Sequence, residues 1–315
     1  MFSALNMGEA SQSGLVPLSL RVLRGFSTCQ GQGVVLGVRG ASPRSPGGFS
    51  GSGAAATAST TTGGRVAPGS AAGALAALLS EREAEGHRDL SVVLELHGAG
   101  DLHWVAEAIS WLARHGRRAV VRTDRVLPRA VVEAARVSGA SVVLRIAGFD
   151  PAVQAGLLGP AADAPARLLL GAQHLRAQSV PVGVLVAPIM PVLHRDTELE
   201  SLCRHIAAAD LTDVSFAVGG WSQARHRAIE ASLPFGGATA MARAYKIFEP
   251  ESVVGKIQLG VREATLLLRQ ARRIAEHNGL SVGGCGCDAQ CNLGPAPTEP
   301  FRSLLARDLF SALTG

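Results

Sequence analysis

The sequence predicts an α/β protein built on parallel strands, a partial (β/α)6 TIM-like barrel, and three observations predict it. Short runs of aliphatic residues recur along the chain, among them Gly33–Val38 (GVVLGV), Ser91–Leu96 (SVVLEL), Ser141–Ile146 (SVVLRI) and Val182–Ala187 (VGVLVA). These runs are nearly continuous rather than alternating, as burial on both faces of a parallel sheet requires. Stretches of helical composition separate them, and because strand-helix-strand crossovers share one hand, successive units curl the same way into a barrel or a doubly wound sheet.

Each element has its own justification. Gly33–Val38 is β-branched and bounded by glycines, as a buried strand should be. From Gly40 to Gly73 the composition narrows to Gly, Ser, Ala, Thr and Pro, and so little apolar area cannot offset the entropy of ordering, so a long mobile loop is expected. Ala71–Arg82 has helical composition, Ser91–Leu96 is a strand, Leu102–His115 a helix, Ala119–Arg122 a strand and Pro128–Ser138 a helix with proline in its first turn. Ser141–Ile146 is the next strand and Ala164–Gln178 the next helix, followed by strand Val182–Ala187, expected to stop at the donorless Pro188. Asp196 or Thr197 caps a helix to about Ala209, Val214–Val218 is a further strand, and the amphipathic helix Arg262–Asn278 ends at Gly279 before Leu280–Val282. The expected organisation is a poorly ordered N-terminal extension over 1–32, a barrel over 33–284 carrying the flexible loop at 40–73, and a cysteine-containing tail over 285–315.

Composition bounds the function. With 47% hydrophobic and 17% charged residues over 315 positions, and a mean hydropathy of +0.23, the chain can bury a large core. No apolar run reaches the roughly 18 residues needed to span a bilayer, and the first 30 residues lack an apolar stretch behind a basic start, so a cytoplasmic address without membrane contact is expected. The net charge of +5 comes mainly from arginines scattered over helices, the pattern of a solvated face, and aromatics at 4% leave few stacking platforms for single-stranded nucleic acid. Phosphate-loop, nucleophile-elbow and zinc-helix motifs do not occur, which removes the familiar NTPase and hydrolase routes.

Three constellations could carry chemistry. Cys285, Cys287 and Cys291 fall within one short loop, GCGCDAQC, after the Leu280–Val282 strand. Thiolates so close can converge on zinc or an iron–sulfur cluster, with Cys29, Cys203 or a histidine as the only source of a fourth side-chain ligand; three small residues in a terminal loop is the bland alternative. His97, Gly98, Ala99, Gly100 and Asp101 follow a strand end, where glycines let backbone amides approach a ligand, though a turn capped by Asp101 explains the same residues. Other strand ends carry Arg122-Thr123-Asp124, Arg145, and Pro188 to Met190 with His194 and Asp196 close behind, the convergence a small-molecule site needs. Arg145 inside SVVLRI is either at a functional rim or paired with a buried acid.

From about Ser91 to Val218 the chain resembles the radical S-adenosylmethionine (radical SAM) superfamily, in its spore photoproduct lyase-related branch. LELHGAGDL (Leu94–Leu102), RRAVVRTDRVLPRAV (Arg117–Val131) and PVGVLVAPIMPVLHRDTELESLC (Pro181–Cys203) carry the resemblance. It implies a partial barrel, a 4Fe–4S cluster and S-adenosylmethionine held by His97 to Asp101 together with Thr123, Arg145, Pro188 and Met190. It also implies a radical reaction on a substrate that could be nucleic acid or protein. The chain departs from the family where the loop after Gly33–Val38, GASPRSPGGFSGSG, contains no cysteine. Cys285, Cys287 and Cys291 would then hold a relocated cluster, or the barrel would bind ligands or act as a scaffold without one, as a pseudoenzyme.

Overall fold

The computed structural model describes residues 2–6, 18–23, 33–39, 75–76, 79–80, 91–97, 103–191, 193–247, 251–253 and 256–283. Its centre is a sheet in which β3 (Gly33–Arg39), β4 (Ser91–His97), β5 (Arg118–Thr123), β6 (Ser141–Ile146), β7 (Val182–Ile189) and β8 (Asp213–Val218) lie side by side in chain order, all parallel. This is the partial (β/α)6 barrel that the aliphatic runs predict. Two strands within the segment expected as an extension, β1 (Phe2–Asn6) and β2 (Leu18–Leu23), add antiparallel on the β3 side.

Helices α1 (His103–Arg114), α2 (Arg129–Ser138), α4 (Pro165–Ala177) and α5 (Asp196–Ala208) cover the outer face, while α3 (Pro151–Leu158) lies at the carboxyl end of β6. The four outer helices form close to where expected, although α5 starts at Asp196 itself, after Arg195 and without a side-chain cap. Pro128 precedes α2 with φ −61°, and Gly139 ends it at φ 67°, a left-handed turn whose N–H closes on the Ala135 carbonyl. The short α3, not foreseen from the sequence, is started by Asp150, whose side chain accepts from the Ala152 N–H, with Pro151 in the first turn.

Burial sorts the strands by face. Val92, Leu94, Leu96, Val121, Val142, Leu144, Ile146, Val184 and Phe216 pack under the helices, whereas Val120, Val143, Leu185 and Ala187 form a separate cluster on the opposite, concave face. Two-residue periodicity therefore sends Arg122 and Arg145 to the concave side with Val120 and Val143.

One expectation is corrected. The strand at Val182 does not stop at Ala187; β7 continues through Pro188, in cis after Ala187, to Ile189. The pairing with β8 shifts register between Val186 and Ile189, so the missing proline donor is absorbed as an irregularity in the ladder rather than a strand end.

After β8 the chain builds an insert: β9 (Gly220–Ser222), α6 (Gln223–Ser232), α7 (Phe235–Ile247), β10 (Glu251–Val253) and β11 (Lys256–Gln258), the strands making a small antiparallel sheet. Ile229, Leu233, Met241, Ala244 and Tyr245 of the insert share a core with Ala147, Leu157 and Met190, so the insert caps the carboxyl ends of β6 and β7. The chain returns along α8 (Val261–His277) to β12 (Ser281–Val282), which pairs parallel with β8.

Candidate functional site at the carboxyl rim

Two stations stand at the carboxyl ends of β5, β6 and β7. The first is charged. Thr123, the last residue of β5, is 1% exposed, and its hydroxyl accepts the Arg125 N–H at 3.0 Å, turning the chain sharply after the strand. Asp124 follows and is equally buried, and its Oδ2 accepts from Arg145 Nη2 at 2.7 Å. The Arg145 side chain keeps 18% of its surface open against 2% for that of Asp124, so the acid anchors the base and the base is the more open partner. Arg145 is thus both at the rim and paired with a buried acid.

Asp163 braces this turn from the next connection. Its N–H donates to the Asp124 carbonyl at 2.9 Å, its Oδ2 accepts the Val126 N–H at 2.7 Å, and its Oδ1 takes Arg167 Nη1 at 2.9 Å. The last pair is exposed and positions little; the two backbone bonds fix the loop.

The second station is neutral. His194 is 5% exposed and accepts the Met190 N–H at its Nδ1, 3.0 Å away. A backbone amide can only donate, so the ring proton lies on Nε2, which donates to the Ala147 carbonyl. The imidazole thereby ties the end of β6 to the end of β7. Burial holds its pKa below the ordinary value, while the bonds to Ala147 and Met190 and the charge of Glu198 act weakly in the other direction. Gln154, 1% exposed in α3, completes the tie: its Oε1 accepts the Ala147 N–H at 2.7 Å and its amide donates to the Asp163 carbonyl at 3.3 Å.

Arg225, in the first turn of α6, donates to the Leu157 carbonyl at 3.4 Å. Burial, and then the charge of Arg145, hold its pKa down. Cys203 on α5 is not a nucleophile of this site: burial pushes its thiol up to about 11, and it packs among Leu199, Leu202 and Ile206.

Of the residues expected to hold a cofactor, Thr123, Arg145, Pro188 and Met190 lie at neighbouring strand ends. The Met190 side chain, 1% exposed, is core beneath the insert, and the polar contribution of that residue is its backbone N–H. His97 ends β4, in register with Arg39 of β3, whereas Gly98, Ala99, Gly100 and Asp101 lie outside the described residues. Cys285, Cys287 and Cys291, and the loop at 40–73, also lie outside them. Among the described residues no group of three histidine, cysteine or acidic side chains is placed to hold a metal ion, and no helix is long and apolar enough to cross a membrane.

Gln154, Asp163 and Arg225 were not legible as rim residues. Gln154 had a signal, a lone amide in the otherwise apolar PAVQAGLL. Asp163 and Arg225 had none. A cleft of about 620 Å³ opens elsewhere, on the helix side of the sheet, lined by Val126, Leu127, Leu144, Leu168 and Gly171. Leu144 points away from the concave face that carries Arg145, so this apolar cleft is separate from the rim.

No family model matches the chain, and no curated protein matches it. Among solved structures, spore photoproduct lyase complexed with dinucleoside spore photoproduct is similar at 17% identity and a TM-score of 0.48, covering 65% of this chain and 64% of that one. Elp3 from the archaeon Methanocaldococcus infernus is similar at 12% identity and 0.41, covering 68% and 52%, and Streptococcus suis SuiB bound to precursor peptide SuiA at 15% and 0.37, covering 46% and 32%. This chain therefore spans less than two thirds of the length of each, and at these identities and TM-scores the likeness assigns it no activity.

Proposed function

We propose that this chain is a radical SAM-like, cytoplasmic iron–sulfur protein that binds S-adenosylmethionine at the carboxyl rim of its barrel, with residues 33–284 as the barrel and Cys285, Cys287 and Cys291 of the tail as cluster ligands. One observation carries the reading. β12 runs parallel to β8 with Val282 opposite Val214, near the amino end of β8, so the chain there points along the strand toward the rim at which Thr123, Asp124 and Arg145 meet. The first of the three thiols follows two residues after Gly283.

The donor set fits both groups. Three thiolates are what a cubane with one open iron requires, and the glycines between them accommodate a tight wrap. An arginine held by a buried acid suits the cofactor's carboxylate, and the glycine turn at 98–100 suits its amine. Bound there, the cluster would supply the electron for radical chemistry. The chain's own residues orient the cofactor through Arg145, and the insert shields the β6–β7 end from water. Nucleic acid or protein is the substrate class that the sequence resemblance favours.

Protein purified without oxygen should contain about four iron and four sulfide per chain. Replacing the three cysteines with alanine should abolish both while leaving the fold intact by circular dichroism. Iron-free wild-type protein, or iron that survives the triple substitution, would overturn the assignment of the cluster.

A second reading rests on the cysteine-free loop GASPRSPGGFSGSG after the first parallel strand. In it the barrel binds S-adenosylmethionine or another ligand, or serves as a scaffold, with no cluster. Cofactor binding by metal-free protein, unchanged by the triple substitution, would favour it.

A further inference from the structure

We propose that Gln154 is the positioning residue for Arg145: its buried amide joins the β6–β7 bridge to the turn that carries Asp124, and so sets where the guanidinium stands at the rim. This rests on the preceding reading only in taking Arg145 as a group that meets the cofactor.

The link runs bond by bond. At one end the Met190 N–H donates to His194 Nδ1 at 3.0 Å, and His194 Nε2 donates to the Ala147 carbonyl. The N–H of the same Ala147 donates to Gln154 Oε1 at 2.7 Å, and Gln154 Nε2 donates to the Asp163 carbonyl at 3.3 Å. Asp163 holds the turn at two points, its N–H donating to the Asp124 carbonyl at 2.9 Å and its Oδ2 accepting the Val126 N–H at 2.7 Å. At the far end the Asp124 carboxylate accepts from Arg145 Nη2 at 2.7 Å. The ladder of β6 fixes the Arg145 backbone, but where its long side chain ends depends on Asp124, and Asp124 sits on that turn.

The middle position calls for a carboxamide. A backbone N–H can only donate and a carbonyl can only accept, so the side chain between Ala147 and Asp163 must offer one acceptor and one donor. A carboxylate lacks the donor, and an aliphatic side chain lacks both. Gln154 is 1% exposed, so water does not compete for either bond. Its partners lie in separate segments, the turn after β6 and the connection between α3 and α4, so the amide does more than seat its own helix.

Binding of S-adenosylmethionine to the full-length protein, purified without oxygen, should be measured by calorimetry in wild type, Q154M, Q154N, R145Q and the double variants with R145Q. Methionine nearly keeps the volume and removes both bonds; asparagine keeps the amide but falls a methylene short. Lost alignment should weaken binding about tenfold in Q154M and less in Q154N. In the R145Q background Q154M should change binding by less than about twofold, because a residue that acts through Arg145 has nothing left to place. Without ligand, hydrogen exchange at the Val126 and Asp163 amides should quicken about tenfold in Q154M and stay unchanged within β7.

Wild-type affinity in Q154M, or an equal loss from Q154M with and without Arg145, would overturn the proposal. Should Q154M fail to fold, Q154N, alone and with R145Q, carries the same comparisons. If wild type does not bind S-adenosylmethionine, the cofactor assignment falls and exchange decides the rest: faster exchange at Val126 and Asp163 keeps Gln154 as the residue that sets the turn, and unchanged exchange removes it.

Discussion

The two rim stations sit on adjacent strand ends yet solve opposite problems. At β5–β6 a charged pair, Asp124–Arg145, is buried on its acidic side and open on its basic side. At β6–β7 a neutral imidazole closes both strand ends to each other and lies beneath an apolar cap. A half-open ion pair keeps a charged group available to a ligand, whereas a sealed hydrogen-bonded bridge fixes the frame from which that group projects. The contrast assigns recognition to Arg145 and architecture to His194.

The strongest way to break this comparison is to remove the bridge. His194→Ala leaves the Met190 N–H and the Ala147 carbonyl buried without their partner and opens a cavity, and should cost about 3–4 kcal/mol in denaturant unfolding. A loss below about 1 kcal/mol would mean that the bridge is incidental.

The bridge also fixes the sign of a pH effect. The native pKa of His194 lies below the ordinary value of about 6.5, so the unfolded chain binds the proton more readily. Its contribution is complete above about pH 6.5 and is lost as pH falls toward the lower native value. Wild-type stability should therefore fall more steeply than that of His194→Ala on the acid side of neutrality, as followed by thermal unfolding.

The charged station should respond less to mutation of its base. Arg145→Gln leaves the Asp124 carboxylate buried beside a neutral amide, for about 2–3 kcal/mol, reduced by the exposure of the guanidinium. Adding Asp124→Asn should return much of that loss, because the buried charge goes with it, while ligand binding stays weak. A double-mutant cycle in unfolding, set beside binding, separates the two roles. If Arg145→Gln weakened neither stability nor ligand affinity, the division between the stations would collapse.

The frame of the rim was legible and its wiring was not. Runs such as SVVLRI announce buried parallel strands because period-2 burial on both faces leaves no room for polar residues, and for the same reason Arg145 stood out at once. The partner of Arg145 was visible only as one of several acids near a strand end. Choosing Asp124 required the turn that Thr123 and Asp163 close, and that turn is made by residues 40 positions apart in sequence. The insert is not legible in the sequence because its role depends on where it docks: α6 buries only Ile229 among its described residues. Pro188 does not mark the end of its strand, because a proline ends a strand only when the ladder cannot bulge around it.

The smallest effect tests that docking directly. Gly156 lies where α3 meets the turn between α6 and α7: a Cβ there would stand 2.7 Å from Leu233 Cδ2 and 3.3 Å from the Ser232 carbonyl, and the Ser232 hydroxyl donates to the Gly156 carbonyl at 3.1 Å. The Leu233 methyl can swing aside but the Ser232 backbone cannot, so Gly156→Ala must ease the turn away at about 1–2 kcal/mol. Alanine returns about 1 kcal/mol through its higher helix propensity, so global stability should barely change. The penalty falls on the insert and the gain on α3. Amides of 223–245 should therefore exchange faster with solvent deuterium while those of β5–β8 keep their protection. Unchanged exchange in the insert would show that it is held without this contact, and a uniform rise across the barrel would show that cap and frame unfold as one unit.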